Sequence, residues 1–185
     1  DIDRVLNKAL SFIRDAVDAE KGTIVLLDDD TGELYRRAAI GTGEDVPPGG
    51  IRSSLRRDDG LIGWILENAE SVTVPDVRED ERWLFRAEDD VSEDEGKTRS
   101  VLGVPIVSSE GRSVGAIFLH AYDVNAFTEV DLRLVEAAAV QLGNAMNNAQ
   151  LYRMLRQQAE RLGSMLRTQQ VEAAKSQSIL EGIAD

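Results

Sequence analysis

The sequence predicts an α+β domain built on an antiparallel sheet and continued by a long C-terminal helix. Three observations lead to this prediction. Short runs of β-branched and apolar residues are separated by tight turns, as is typical of antiparallel strands. The longest amphipathic helical patterns lie at the two ends of the chain rather than between successive strands. Beyond Pro105 there is no further proline, and from Phe127 onward apolar residues recur at every third or fourth position.

The composition excludes several classes of function. The chain has 185 residues, of which 42% are hydrophobic, which is enough apolar material for the core of one domain. It has no cysteine, so it offers no disulfide, no thiolate nucleophile and no cysteine-ligated metal site. No apolar run reaches the ~18 residues of a membrane span, and the first residues do not resemble a signal peptide. We therefore expect a cytoplasmic location and no direct membrane contact by this segment.

The net charge of −13 is concentrated before the final helix. The first 127 residues hold 27 acids and 15 bases, whereas the remainder holds seven acids and six bases. An acidic domain repels phosphate backbones, so nucleic-acid binding is not expected. A solvated acidic surface is a sufficient explanation of this charge.

The first elements are predicted to be a helix and a hairpin. Residues 2–20 carry an amphipathic apolar stripe, and Lys21 with Gly22 is interpreted as the end of this helix. Residues 23–27 and 34–40 are β-rich runs joined by a turn that contains three aspartates. A calcium site in the turn is a weaker hypothesis, because the spacing lacks the glutamate that ends a calcium-binding loop.

The middle of the chain is predicted to be two loops around a short helix and a minimal strand. Glycine and proline interrupt residues 41–57, a loop long enough to be functional or mobile. The helix is predicted at Gly60–Asn68 and the strand at Val72–Val74. Residues 77–97 are mostly polar, with six acids among residues 88–95, which we interpret as a solvated lobe. A hard-cation site there is the alternative.

Two further strands are predicted before the final helix. Residues 101–107 contain Gly103 and Pro105, and a proline inside a strand indicates an edge or a bulge. Residues 113–122 are largely apolar on both faces. This last strand is therefore predicted to be central and covered on both sides.

The final helix is predicted to begin at Thr128, which forms a capping box with Asp131. If it continues to the end of the chain it is about 85 Å long, whereas a domain of this size is about 30 Å across. Its apolar seam therefore predicts a partner, the simplest being a second copy in a coiled coil. The pattern changes phase near residues 149–152, where two packings can compete. The predicted seam residues are Leu142, Met146, Tyr152, Leu155, Leu162 and Leu166.

Four stretches, taken together in this order, resemble the GAF domain, a small sensory module of signal-transduction proteins. They are Gly-Leu-Ile-Gly-Trp-Ile at 60–65, Val-Pro-Asp-Val at 74–77, Arg-Ser-Val-Leu-Gly-Val-Pro-Ile at 99–106, and Phe-Thr-Glu-Val-Asp-Leu at 127–132, continued by Asn-Ala-Met-Asn-Asn-Ala-Gln-Leu-Tyr at 144–152. The resemblance implies a six-stranded antiparallel sheet, of which five strands are located above, with terminal helices on one face and a ligand pocket on the other. It implies a GAF sensory domain at residues 1–150, followed by a coiled-coil signalling helix at residues 151–185.

Departures from the family's patterns narrow the expected ligands. GAF domains that bind cyclic nucleotides carry an Asn-Lys pair, followed by a Phe and an Asp-Glu pair. Here Phe127 and Asp131 match, but Leu132 takes the place of the Glu and no Asn-Lys pair precedes. Cyclic-nucleotide binding is therefore not expected. Because there is no cysteine, covalent bilin attachment and the cysteine chemistry of free methionine sulfoxide reductases are excluded.

Seven residues are candidates for the pocket, and several have a structural alternative. His120, the sole histidine, is favoured as a strand residue satisfied by a neighbour over a haem ligand or a hydrogen-bonding partner of a pocket ligand. Arg99 could clamp an anion or pair with a surface acid, and Asp76 could cap a turn. No catalytic residue or metal ligand is assigned, and no cofactor is identified. The candidate ligand-binding residues are Trp64, Asp76, Trp83, Arg99, Phe118, His120 and Tyr122.

Two functions remain open from the sequence. The first is a sensor of a bacterial-type signal-transduction protein, foremost a sensor histidine kinase. In it a small ligand alters a homodimeric coiled coil and thereby an output domain of the same chain. The second is a dimerisation and relay module whose pocket is filled by its own side chains. An enzymatic function is not expected, because no nucleophile–base arrangement is present.

Overall fold

The computed structural model describes residues 2–28, 30–43, 45–53, 55–83 and 98–183. The chain divides into two units, Asp1–Met146 and Asn147–Asp185. The acidic lobe predicted at residues 88–95 lies outside the described residues. Among the helices that are described, none combines the length and the hydropathy of a membrane span.

The first unit contains the predicted six-stranded antiparallel sheet. Its spatial strand order is β3-β2-β1-β6-β5-β4, and every pair of neighbours is antiparallel. The strands are β1 (Lys21–Leu27), β2 (Leu34–Ile40), β3 (Ile51–Arg52), β4 (Val72–Val74), β5 (Ser100–Val107) and β6 (Ser113–Ala121). The strand that the sequence did not locate is β3, which lies inside the segment predicted to be loop at residues 41–57.

The turn between β1 and β2 is held by the first of its three aspartates. The Asp28 carboxylate accepts hydrogen bonds from the backbone N–H groups of Asp30 and Thr31, at 3.1 and 2.9 Å, and from the Thr31 hydroxyl at 2.9 Å. Gly32 supplies the left-handed residue with φ 71°. The predicted turn is confirmed. Within the described part of the chain, no group of acidic or histidine side chains is arranged to hold a metal ion.

The first helix ends earlier than predicted. Helix α1 covers Ile2–Ala16, and the chain then passes through Asp18 in the left-handed region, with φ 55°. The prediction that Lys21 and Gly22 end this helix is wrong, because both residues belong to β1. Gly22 lies where α1 packs on the sheet, and a Cβ there would be 2.9 Å from Leu10 Cδ1. Lys21 thereby becomes a partner of the central strand.

Strand β6 is central, as predicted, between β1 and β5. Strand β5 is also interior although it contains Pro105. Its other neighbour, β4, pairs only with residues 101–103, so at Pro105 the sole strand partner in the described sheet is β6. The proline therefore lies where β5 behaves as an edge, which is where a strand tolerates it.

The two faces of the sheet carry separate hydrophobic cores. Alternate residues of β6 divide between them, with Ile117 and Leu119 on one face and Ala116 and Phe118 on the other. The first face is covered by α1 and by the first part of helix α3 (Glu129–Ile183). The second is covered by helix α2 (Gly60–Asn68) and the 3₁₀ turn Val77–Glu79, and we call it the α2 face.

Helix α3 begins with the predicted capping box. The Asp131 carboxylate accepts hydrogen bonds from the N–H and the hydroxyl of Thr128, both at 2.7 Å. In return the Thr128 hydroxyl oxygen accepts the N–H of Asp131 at 3.2 Å. These reciprocal bonds satisfy donors that the helix start would otherwise leave open.

The α3 residues on both sides of residue 146 differ in burial. Leu142 is 4% exposed in the core of the first unit, and Met146 packs against that core. The prediction that Leu142 lies at a dimer seam is therefore wrong, because its helix face is already covered by the sheet. Residues 150–182 are exposed except for Gly163.

Two glycines of α3 provide a test of this packing. A Cβ at Gly143 would overlap the carbonyl oxygen of Val107, whereas a Cβ at Gly163 would meet nothing closer than Arg167 at 3.8 Å. Gly143→Ala should therefore lower the free energy of unfolding by about 1–3 kcal/mol. Gly163→Ala should stabilise the helix by about 0.5–1 kcal/mol, because it removes only the flexibility of glycine. Urea denaturation followed by circular dichroism measures both changes, and equal stability of the two variants would contradict the packing.

Candidate functional site

Polar and aromatic side chains gather on the α2 face where β1 begins and β6 ends. In the strand register Lys21 and Val101 both lie opposite His120. Directly opposite residues share a face of the sheet, and Val101 belongs to the core of the α2 face. The side chains of Lys21 and His120 are therefore on that face. Together with Trp83 and Tyr122, which contact them, they form what we call the Lys21–His120 cluster.

The lysine of this cluster is buried without a hydrogen-bonding partner. Lys21 is 2% exposed, and its Nζ has no acceptor among the described residues. Nζ lies 5.8 Å from the centroid of the Tyr122 ring, at the outer range of a cation–π contact. Because an ammonium loses its hydration on burial, such a contact offsets only part of the cost. The cluster therefore contains an incompletely compensated positive charge.

The acid next to Lys21 in the chain is turned to the backbone of β6. The carboxylate of Glu20 accepts the N–H of Tyr122 at 3.3 Å, and the Glu20 N–H donates to the carbonyl oxygen of His120 at 3.0 Å. These bonds fix the start of β1 against the end of β6. They also leave Lys21 without an ion pair inside the part of the chain that the structure describes.

His120 is half-buried and contacts an aromatic ring. The Trp83 ring lies edge to face against it, with centroids 5.7 Å apart and an interplanar angle of 67°. Burial, and secondarily the charge of Lys21, lowers the pKa of His120 to about 4. Its ring is therefore uncharged at neutral pH, with one nitrogen that donates and one that accepts. The structure shows His120 as a residue of strand β6 whose ring contacts one aromatic neighbour, Trp83.

Trp64, a predicted pocket residue on α2, has its ring covered by an arginine. The Arg82 guanidinium lies 4.8 Å from the Trp64 ring centroid. Asp80 orients that guanidinium through two hydrogen bonds, of 3.0 Å from Nε and 2.7 Å from Nη2. The hydrogen bond from Arg82 is the main reason that the pKa of Asp80 is lowered. Trp64 otherwise packs against the core of the α2 face.

Asp76, another candidate, acts as a turn cap. Its carboxylate accepts the backbone N–H of Arg78 at 3.0 Å and also binds the Arg78 guanidinium. The side chain of Arg78, with a smaller contribution from the charge of Arg99, lowers the pKa of Asp76 to about 2. Arg99 itself donates from Nη1 to the carbonyl oxygen of Thr98 at 3.1 Å. For Asp76 this arrangement corresponds to the turn-capping alternative.

Phe118 lies within the core of the α2 face, 9% exposed. Its partner on the neighbouring strand β5 is Gly103. A Cβ at Gly103 would meet Ile65 of α2 and the Phe118 ring. The missing side chain at Gly103 lets α2 approach the sheet. Phe118 therefore belongs to the packed core of the α2 face, on which the Lys21–His120 cluster also lies.

The residue that sequence reasoning missed is Lys21. It was assigned to the end of α1, although the alternation Lys21, Thr23, Val25 and Leu27 places it on one face of a strand. That alternation was the available signal. A lysine at the first position of a strand is ordinary in sequence, and only the pairing with His120 reveals its burial.

A cavity of about 340 Å³ lies elsewhere, beside β3 and the start of α2. Its charged residues are largely paired with each other, with Arg52 on Glu33 at 2.6 Å and Arg56 on Asp58 at 3.4 Å. Both arginines are exposed, so these pairs contribute little to stability. None of the seven predicted ligand-binding residues lines this cavity, and the described residues around it include no unpaired buried group.

The protonation of His120, the sole histidine, can be measured directly as a function of pH. Because the pKa of His120 is about 4 in the folded state and 6.5 in its reference state, the unfolded chain binds more protons between these values. Stability from this group is therefore complete above pH 6.5 and declines as the pH falls toward 4. In an NMR titration the single imidazole Hε1 signal should shift with a midpoint near pH 4.

Two variants serve as controls for this titration. Lys21→Met should raise the midpoint only in part, because burial is the larger cause of the shift. His120→Gln should remove this component of the pH dependence of stability. A wild-type midpoint close to 6.5 would contradict the burial of the ring.

The sequence and the fold of this chain resemble those of known proteins. The sequence model of the GAF domain matches residues 1–147. The dual 3′,5′-cyclic-AMP and -GMP phosphodiesterase 11A of Takifugu rubripes is 28% identical over 181 residues, which cover 90% of this chain and 19% of that protein. The chain spans about a fifth of the length of the curated relatives that it matches first.

Solved structures show the same fold. The GAF domain of a phosphoenolpyruvate-protein phosphotransferase from Coxiella burnetii is similar with a TM-score of 0.70 and 21% identity, over 82% of this chain and 86% of that one. A domain assigned to a two-component sensor histidine kinase protein of Sinorhizobium meliloti 1021 is similar with a TM-score of 0.62 and 21% identity, over 83% and 96%. With the family match over most of its length, the chain belongs to the GAF domain family.

Proposed function

We propose that this GAF domain is the regulatory, non-catalytic sensor of a bacterial-type signal-transduction protein and acts in the cytoplasm. A small ligand binds at the Lys21–His120 cluster, and an output domain of the same polypeptide responds. The observation that carries the proposal is the buried Nζ of Lys21, which has no acceptor among the described residues. An apolar side chain would be more stable at a purely structural position, so a cation retained there indicates binding.

The position of the cluster suggests how binding reaches the terminal helices. Lys21 begins β1, five residues after α1 ends at Ala16. His120 is near the end of β6, and the chain enters α3 at Glu129. These strand ends are therefore close in sequence to α1 and α3, the two helices on the opposite face. A change in their pairing can act on both helices. This short covalent route supports coupling between ligand and helix.

We further propose that α3 forms a homodimeric coiled coil beyond residue 150. Large apolar side chains are exposed there, at 74% for Tyr152, 62% for Leu155 and 61% for Leu162. With Leu166, 60% exposed, they follow the spacing of a heptad seam. An exposed apolar stripe of this length is a liability in a monomer and an interface in a dimer.

A sensor histidine kinase is the proposed host of this module. The similarity to a domain assigned to such a kinase supports it. The similarity to a phosphodiesterase shows that related modules also accompany another output. The departure of Leu132 from the cyclic-nucleotide pattern favours the kinase, in which the ligand is a different small molecule.

The competing function is a relay module that binds nothing. The contact between Trp83 and His120 supports this alternative, because a side chain of the domain itself already occupies one side of the cluster. The two functions differ in whether the purified dimer responds to any small molecule.

A ligand screen distinguishes them. Native mass spectrometry after gentle purification should show an added mass, or a metabolite panel should raise the melting temperature. A ligand at about 100 times its Kd stabilises the folded state by about 2.7 kcal/mol. A protein with no added mass and no thermal shift across the panel would favour the relay module.

Charge placed in the seam tests the coiled coil. Leu155→Glu with Leu162→Glu should weaken the dimer at least tenfold, because each change buries a carboxylate between helices. Gln157→Glu with Ser164→Glu adds the same charge on the outer face of the same helix and should leave the dimer intact. Sedimentation equilibrium measures both, and unchanged association of the leucine variant would exclude this seam.

A further inference from the structure

The ligand itself can be specified further, on the basis of the proposed function. We propose that it is a carboxylate on a small apolar body, whose oxygens bind Nζ of Lys21 on the α2 face. The juxtaposition of Lys21, His120 and Tyr122 carries this inference. These residues give the site a positive charge, several hydrogen-bond donors and apolar surroundings.

The charge of the site selects an anion. The chain carries a net charge of −13, yet this buried ammonium has no acceptor in the described structure. Two acids close to the cluster in the chain, Glu20 and Asp80, are engaged elsewhere. Glu20 accepts from the backbone of Tyr122, and Asp80 holds Arg82. An incoming anion is thus the group that would complete the hydrogen bonding of Lys21.

The size of that charge favours a monoanion. Lys21 supplies one positive charge and up to three donors. His120 is neutral at physiological pH and makes no ring hydrogen bond to the described residues, so its N–H adds a donor without adding charge. A carboxylate matches one ammonium and a neighbouring neutral donor. A phosphate dianion would bring one negative charge more than these residues neutralise.

The surroundings of Lys21 favour an apolar body on the ligand. The rings of Tyr122 and Trp83 flank the lysine and the histidine, and Val101 lies across the strand pair from His120. A ring or branched aliphatic group could pack against these side chains while its carboxylate faces Nζ. Trp83, held against His120 by a ring contact, is the side chain that would move to admit it.

Probes that are matched in shape but differ in charge test the carboxylate in the full chain. The probes are benzoate, its neutral isostere benzamide, inorganic phosphate, and a panel of other aromatic and branched aliphatic carboxylates. We expect at least one carboxylate to shift the His120 Hε1 and Trp83 indole signals and to bind at least tenfold more tightly than its amide. Lys21→Met should lose that binding tenfold or more, whereas Lys8→Met, on the exposed face of α1, should retain it.

The stability of Lys21→Met without ligand provides a second measurement. Because the buried ammonium is removed and its methylene chain is kept, this variant should melt at a higher temperature than the wild type. A lower melting temperature would overturn the inference, since Lys21 would then be a structural residue. A variant that fails to fold would overturn it for the same reason.

The outcomes separate this inference from the proposed function. Binding of a neutral molecule or of phosphate alone, unaffected by Lys21→Met, would overturn the carboxylate and leave the sensor role intact. Failure of every carboxylate in the panel would also overturn it. A wild-type dimer that binds no metabolite of any class would remove the sensor role itself.

Discussion

The antiparallel pairing of β1 with β6 is the interaction on which the rest of this structure depends. Through it β6 has a strand on each side and a hydrophobic core on each face. The same pairing brings Lys21 opposite His120 and so creates the cluster on the α2 face. It also joins the segments that follow α1 and precede α3. Sheet stability and the proposed site are therefore properties of one strand pair.

Features encoded by neighbouring residues were predictable from the sequence. The capping box of Thr128 and Asp131 depends on residues three apart, and the hairpin turn at Asp28 depends on side chains that bond their own backbone. The central position of β6 followed from its uninterrupted apolar run. These signals needed no knowledge of which strands pair, and they were sufficient to indicate the family resemblance.

Features decided by distant contacts were not predictable. The end of α1 depends on the left-handed Asp18 and on β6 recruiting Lys21, whereas the amphipathic stripe alone continues to residue 20. Leu142 illustrates a second ambiguity, because a helix face that covers a sheet and one that covers a partner helix have the same period. Strand β3 has two residues, too few for any pattern. Of the four cluster residues, Lys21 was missed for the first reason, since its burial is revealed only by its pairing with His120.

The two edge strands of the sheet are short. The outermost strands, β3 and β4, have two and three residues, beside inner strands of seven to nine. Short edge strands expose few unpaired backbone groups, so another chain can form few hydrogen bonds by adding a strand to the sheet. In the proposed dimer, which holds two copies close together, short edge strands lower the tendency toward fibrillar self-association. The surface proposed for contact between copies is instead the exposed apolar face of α3.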